Sequence, residues 1–227
     1  MKYRLGLCAG IFFFSCLLFG CREKEERFEG TLTISFITIG KGDAFLIETP
    51  DKNFYMWDTG KKEDQEQVSE LLQKKGVKEL AGGENLDLGG TIGEIWLPDK
   101  TNYENENNNS VVMRLVYGET ACLFTGDMEK DEEAEYLSEN RKISANILKL
   151  GHHGEDDATS PELLKRVKPE YGVITGNAKE NPESVNAQTQ EKLEQYGVKP
   201  YYSEDSQLSI DFTSDGREIT VCFIEKE

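Results

Sequence analysis

The sequence predicts a layered α/β body with sheets faced by helices, and three observations carry that prediction. Segments with the two-residue alternation of strands fall in two groups along the chain. Each group is followed by segments in which apolar residues recur at helical spacing, the pattern expected of sheets covered by helices. Neither an internal repeat nor a Pro/Gly-rich linker divides the body, which therefore reads as one domain.

Thr31-Leu32-Thr33-Ile34-Ser35-Phe36 alternates polar and apolar, as a strand with one buried face does, and Asp43 to Thr49 and Asn53 to Trp57 continue the pattern. Gly40, Gly42 and Pro50-Asp51 supply the intervening turns. Gln65 to Lys75 places Val68, Leu71 and Leu72 on one helical face and stops at Gly76, a common terminator. Strands are then expected over Ile92 to Leu97, Ser110 to Tyr117, Ala121 to Thr125, Ile147 to Leu150 and Tyr171 to Thr175. Helices over Glu129 to Ser138, Ser160 to Val167 and Glu183 to Tyr196 alternate with the later ones. Leu208 to Phe212 and Ile219 to Ile224 flank the turn Ser214-Asp215-Gly216 and close the body as a hairpin.

The first twenty residues have a different character. Met1-Lys2-Tyr3-Arg4 is basic, and Leu5 to Gly20 is uncharged, apolar or small, which is the pattern of a bacterial export signal. The run is short of the ~20 apolar residues that a spanning helix prefers. It ends in Leu18-Phe19-Gly20-Cys21, which resembles the lipobox of bacterial lipoproteins, with Phe19 bulkier than usual. Residues 1–20 are thus expected to be a lipoprotein signal, and Cys21 the lipid-attachment site that anchors the protein to the cell membrane. The body would face the extracellular or periplasmic side. The alternative, an uncleaved anchor helix, places it on the same side. Arg22-Glu23-Lys24-Glu25-Glu26-Arg27 has nothing to bury, so residues 21–30 read as a charged tether and 31–227 as the domain.

Lys+Arg number 26 against 43 Asp+Glu, for a formal charge of −17, and without Lys2 and Arg4 the remainder stands near −19. Such a surface repels phosphate backbones, so a nucleic-acid role needs a local basic patch or a metal. Outside the signal and Cys21, the cysteines are Cys122 and Cys222, both in strand-like runs, where two buried thiols and one disulfide are equally open.

Four short segments fall at strand ends: Gly40-Lys41-Gly42-Asp43, Asp58-Thr59-Gly60, Thr125-Gly126-Asp127 and Gly151-His152-His153-Gly154. An Asp between a strand and a Gly often serves only to cap a turn. The histidines are harder to assign to structure alone, being the chain's two and adjacent, with glycines on both sides that permit close approach. With Asp127 they supply two imidazoles and a carboxylate, the donor types of a divalent-metal hydrolase. Two acidic clusters, Asp131-Glu132-Glu133 and Glu155-Asp156-Asp157, lack the spacing and turn glycine of a calcium loop and read as solvated surface.

Taken in order, Ile34-Ser35-Phe36-Ile37 to Gly42-Asp43, Trp57-Asp58-Thr59-Gly60, Asn107-Asn108-Asn109-Ser110-Val111-Val112, Leu123-Phe124-Thr125-Gly126-Asp127 and Leu148-Lys149-Leu150-Gly151-His152-His153-Gly154 resemble the soluble metallo-β-lactamase-like domain of the ComEC family. Asp205 to Gly216 is similar to that domain's closing hairpin. The resemblance implies an αββα sandwich with a metal site along one edge of two sheets, where a metal-bound hydroxide attacks a phosphodiester. It implies Asp127 as a metal-contacting carboxylate, one of His152 and His153 as a histidine ligand, and Asp58 as an acid bracing the metal loop. Asn107 to Asn109 stand where other lineages of the fold place a further histidine, which makes Asn108 and Asn109, with Asp43, accessory candidates.

The chain departs from the family at its defining metal loop, His-x-His-x-Asp-His. That loop should follow the helix ending near Gly76, where this chain reads Val77-Lys78-Glu79-Leu80-Ala81-Gly82-Gly83-Glu84-Asn85 and reaches the next strand near Ile92. Part of the N-terminal half is therefore expected to be deleted, at a cost in stability through an exposed sheet edge. A later Gly-His-Pro segment of the family is replaced by Glu180-Asn181-Pro182-Glu183. Adjacent histidines commonly diverge, so a metal finds two firm ligands, fewer than hydrolytic zinc usually takes. The expectation is a weak or partial zinc site, with Asp127 and Asp58 as the candidate general bases.

Three functions remain open on the sequence. They are an exported surface module with weak or no hydrolase activity, a metal-dependent phosphodiesterase acting outside the membrane, and a decaying remnant that folds poorly. The first ranks highest: the missing loop tells against the second, and the good strand patterns that persist on both sides of it tell against the third. Nucleic acid enters as a partner by family analogy alone.

Overall fold

The computed structural model describes residues 28–80, 88–100, 103–180, 182–185 and 187–226. The expected signal, Cys21 and most of the charged tether lie outside these residues, as does 81–87 of the interval where the metal loop is missing. One sheet contains β1 (Leu32–Ile37), β2 (Ala44–Glu48), β3 (Phe54–Thr59), β10 (Ser209–Ser214) and β11 (Ile219–Ile224) in the order β11-β10-β1-β2-β3, all antiparallel. The other contains β4 (Ile92–Trp96), β5 (Val112–Tyr117), β6 (Thr120–Phe124), β7 (Ile147–Lys149), β8 (Tyr171–Ile174) and β9 (Lys199–Tyr202), in chain order. It is antiparallel from β4 to β6 and parallel from β6 to β9.

Parallel neighbours need a crossover, and three helices supply it: α2 (Lys130–Ser138), α3 (Pro161–Val167) and α4 (Ala187–Gln195). The remaining helix, α1 (Gln65–Lys74), follows β3. Three cores fix the order of layers. Between the sheets, Phe36 is fully buried with its ring 5.1 Å from Phe45, 6.0 Å from Phe124 and 5.5 Å from Phe212. On the outer face of the first sheet, Leu71 of α1 packs with Ile37, Leu46 and Leu208. Tyr136, Leu163, Leu164 and Leu193 of the other helices cover Val112, Leu123 and Leu148 of the second sheet. The layers therefore run helix, sheet, sheet, helix.

Every strand and helix expected from the sequence is present within a few residues of its expected bounds, with three differences. The expected helix over Glu183 to Tyr196 is instead a 3-10 turn, Pro182–Val185, followed by α4. β9 is additional to the expected strands, and Pro200 lies within its short run. Its place at the sheet edge lets the missing N–H go unused. Phe28, three residues ahead of the expected domain start, packs edge-on against Tyr117 at 5.6 Å, and the Tyr117 hydroxyl donates to the Glu29 carbonyl.

The two acidic clusters do not both lie on the surface. Glu132 and Glu133 are buried on the inner side of α2, where Glu132 accepts from the Ser110 N–H and Glu133 from the Ser160 N–H at the start of α3. Burial pushes Glu132 up to about 7 against that hydrogen bond. Cys122 and Cys222 are free thiols, the first buried and the second exposed. β4 forms an edge of its sheet, and Ile92 and Ile95 on it are at least half exposed.

Candidate functional site

The start of β2, the end of β3 and the carboxyl ends of β6 and β7 meet at one edge of the two sheets, around a cleft of about 830 Å³. The carboxyl ends of strands are where ligands bind in open α/β sheets. Phe45, Trp57 and Phe124 contribute apolar surface, and Asp43, Asp58, Asn107, Asp127, His152 and His153 the polar groups. Five of the expected site residues thus line one cavity.

The histidine pair is shaped by its backbone. His152 and His153 both have positive φ, 44° and 55°, a left-handed conformation that is costly for residues with a Cβ. Gly151 and Gly154 make the turn possible: a Cβ at Gly151 would meet the Met128 carbonyl at 2.5 Å, and Gly154 has φ of 89°. The ring centroids stand 6.1 Å apart, and the two imidazoles face different carboxylates.

His153 is buried between two aspartates. Its Nδ1 lies 3.2 Å from Thr175 Oγ1 and 3.5 Å from Asp43 Oδ1, and its Nε2 lies 3.4 Å from Asp127 Oδ1. A carboxylate behind one ring nitrogen orients the other, as commonly seen where imidazoles bind metals. The Thr175 hydroxyl in turn donates to Asp43 at 2.6 Å.

Lys149, absent from the expected site residues, sits in the same place. It is fully buried, and its Nζ donates to the Gly126 carbonyl at 2.7 Å and reaches Asp43 Oδ2 at 2.6 Å and Asp127 Oδ1 at 3.7 Å. Burial alone would raise the Asp43 carboxyl, but the Lys149 charge, helped by His153, holds it at about 2. The sequence signal was available: a lysine between two leucines in a short buried strand is rare unless paired.

Asp127 accepts no hydrogen bond at Oδ1, although that atom is buried. Its backbone N–H is held by Ser110 Oγ at 3.0 Å. Asp58 is exposed at the cleft mouth with φ of 60°, and Oδ1 accepts the Thr59 N–H at 2.9 Å. Partial desolvation, then the nearby charges of Asp43 and Asp127, raise its carboxyl above the ordinary value despite Thr59 and Lys149.

The asparagine run divides. Asn107 reaches the cleft, donating to Glu129 at 2.7 Å and lying 3.4 Å from His152 Nε2. Asn108 is buried, and its Oδ1 accepts the N–H groups of Glu129 and Glu132 at the start of α2, a capping role. Asn109 donates to the Glu106 carbonyl and does not itself line the cleft. Neither Asn108 nor Asn109 is therefore placed to touch a ligand here. The residue that does, Asn107, is their neighbour.

The arrangement defines a mixed α/β protein of two packed sheets, with a carboxylate and imidazole cluster at the carboxyl ends of adjacent strands. No family model matches the chain. Over 112 residues, 48% of this chain, it is 29% identical to ComE operon protein 3 of Bacillus subtilis, covering 14% of that protein. It is 32% identical over 110 residues to competence protein ComA of Neisseria gonorrhoeae and 27% identical over 127 residues to recombination protein 2 of Haemophilus influenzae, in each case covering 16% of the relative. The chain is therefore related, over about half its length, to a segment of competence-related proteins several times longer. Among the described residues no helix is long and apolar enough to cross a membrane.

Proposed function

We propose that this chain is a degenerate ComEC-type domain of the metallo-β-lactamase fold, tethered by lipid at Cys21 to the outer side of the cell membrane. There it acts as a surface module with little or no hydrolytic turnover. The helix–sheet–sheet–helix layering and the competence-related matches support the family assignment. The observation that carries the functional reading is the buried Lys149 ammonium among the site carboxylates. It already balances Asp43, and it lies 3.7 Å from the oxygen that a metal would need on Asp127.

A zinc ion implied by the fold family would find Asp43, Asp127 and His153 as the donor set, with Asp43 already held by Lys149 and Thr175 and His152 turned away, which leaves Asp127 and His153 as the free donors. Two donors beside an ammonium do not fit a catalytic zinc, which usually takes three protein ligands. A metal-dependent phosphodiesterase is the second reading, and Asp127 Oδ1, buried without a hydrogen bond, is what favours it. The two readings separate on the Asp127→Ala variant: equal, background rates of phosphodiester hydrolysis for variant and parent support the inactive module. Mass spectrometry of the membrane fraction tests the anchor. A mature N-terminus at diacylated Cys21 is expected, and cleavage elsewhere contradicts it.

A further inference from the structure

A second set of metal-ligating groups lies on the other side of the histidine pair. His152 Nδ1 stands 3.1 Å from Asp157 Oδ1, 3.5 Å from Glu129 Oε1 and 3.7 Å from Glu155 Oε2. Ligand atoms of Glu129, His152 and Asp157 all fall within 4.8 Å of one another. We propose that Glu129, His152 and Asp157, with Glu155 alongside, form a site for one divalent transition-metal ion, separate from the Asp43–Asp127–His153 cluster.

Charge is what distinguishes the two clusters. Asp43 and Asp127 face a buried ammonium, whereas three carboxylates converge on one imidazole nitrogen here. The nearby cations are Lys41, which reaches Glu155 at 2.9 Å, and Lys192, which donates to the Ala158 carbonyl beside Asp157, and the amides of Asn105 and Asn107 that hold Glu129 are neutral. Like-charged carboxylates this close repel one another strongly where water is partly excluded, and a dication offsets that repulsion. The His152 side chain is 16% exposed and that of Glu129 13%, which shields the charges, while Asp157 at 41% leaves an entry path.

Donor chemistry narrows the ion. One imidazole nitrogen among carboxylate oxygens suits manganese or zinc, whereas calcium and magnesium take oxygen ligands throughout. Glu129 immediately precedes α2 and Asp157 lies in the turn before α3, so the ion would tie the His-His turn to the starts of two helices. Its role in this proposal is to fix that turn, and no turnover depends on it.

The experiment is a Mn²⁺ titration of the full chain, followed by electron paramagnetic resonance of the free ion and by the melting temperature. One saturable equivalent is expected, with a rise in melting temperature. Glu129→Gln and Asp157→Asn should each weaken binding at least about tenfold, about 1.4 kcal/mol. Asp127→Asn should leave it within about twofold. Asp157 is partly exposed and outside regular structure, so a folding defect does not obscure that variant. Absence of saturable binding overturns the proposal. Loss of binding in Asp127→Asn with none in Asp157→Asn overturns it too, by moving the ion to the other cluster. Neither result bears on hydrolysis, so the activity reading stands or falls separately.

Discussion

Replacing Lys149 with methionine is expected to destabilise the protein by about 3–5 kcal/mol, because removing one partner of a buried ion pair leaves the other charge stranded. Lys149 is fully buried, and Asp43 has its Oδ2 at 2.6 Å from the ammonium. Methionine fills similar volume, so the loss measures the stranded Asp43 charge and the Gly126 carbonyl left without its donor. A domain of this size loses roughly 2–4 °C of melting temperature per kcal/mol, so a fall of roughly 6–20 °C is the readout. Adding Asp43→Asn should recover part of the loss, since the pair is then removed on both sides. In the parent, the depressed Asp43 carboxyl contributes stability that is full above its unfolded value, 3.8, and fades as the pH falls towards about 2. A Lys149→Met protein within about 1 kcal/mol of the parent would contradict this account of the cluster.

Phe36→Ala should cost about 3–5 kcal/mol through the centre of the molecule rather than its site. Phe36 has no exposed surface and holds rings from three other strands, Phe45, Phe124 and Phe212, within 6.0 Å. Phe124 belongs to the second sheet, so truncation opens a cavity between the layers that neither sheet can fill by rotamer change. Equilibrium urea unfolding measures it: the midpoint should drop with little change in slope. A loss under about 1.5 kcal/mol would mean that the sheets close over the cavity, and that the inter-sheet core is not packed as described.

How legible the sequence was depended on whether a residue's role is local. Strand alternation between glycine and proline turns is a local signal, and β1, β2, β10 and β11 lie where it puts them. Gly76, with φ of 68°, ends α1 for the same local reason. β9 was hidden because Pro200 argues against a strand unless the edge position is known. Lys149, Glu132 and Glu133 were hidden because a charged residue turns inward only when a distant partner waits for it. Those partners are Asp43, Ser110 and Ser160, which no periodicity reveals. The motif residues Asp43, Asp58, Asp127, His152 and His153 were legible from glycine-flanked strand ends, and they share one cleft. That His152 and His153 serve different carboxylates follows from two consecutive left-handed residues, which only the folded turn displays.

The central proposal is that the chain is a competence-related domain without a working catalytic metal centre. It is tested most directly by the rate of phosphodiester hydrolysis by the full chain and by its His152→Ala/His153→Ala variant, each in matched Zn²⁺ and Mn²⁺. Without a firmly held metal the cleft lacks a strong, fixed positive charge for the phosphoryl oxygens, since the Lys149 ammonium is committed to Asp43 and Gly126 and Lys41 to Glu155. The account predicts indistinguishable, background rates for the two proteins. A metal-dependent rate well above background that the double histidine change abolishes would contradict it and establish the protein as an enzyme.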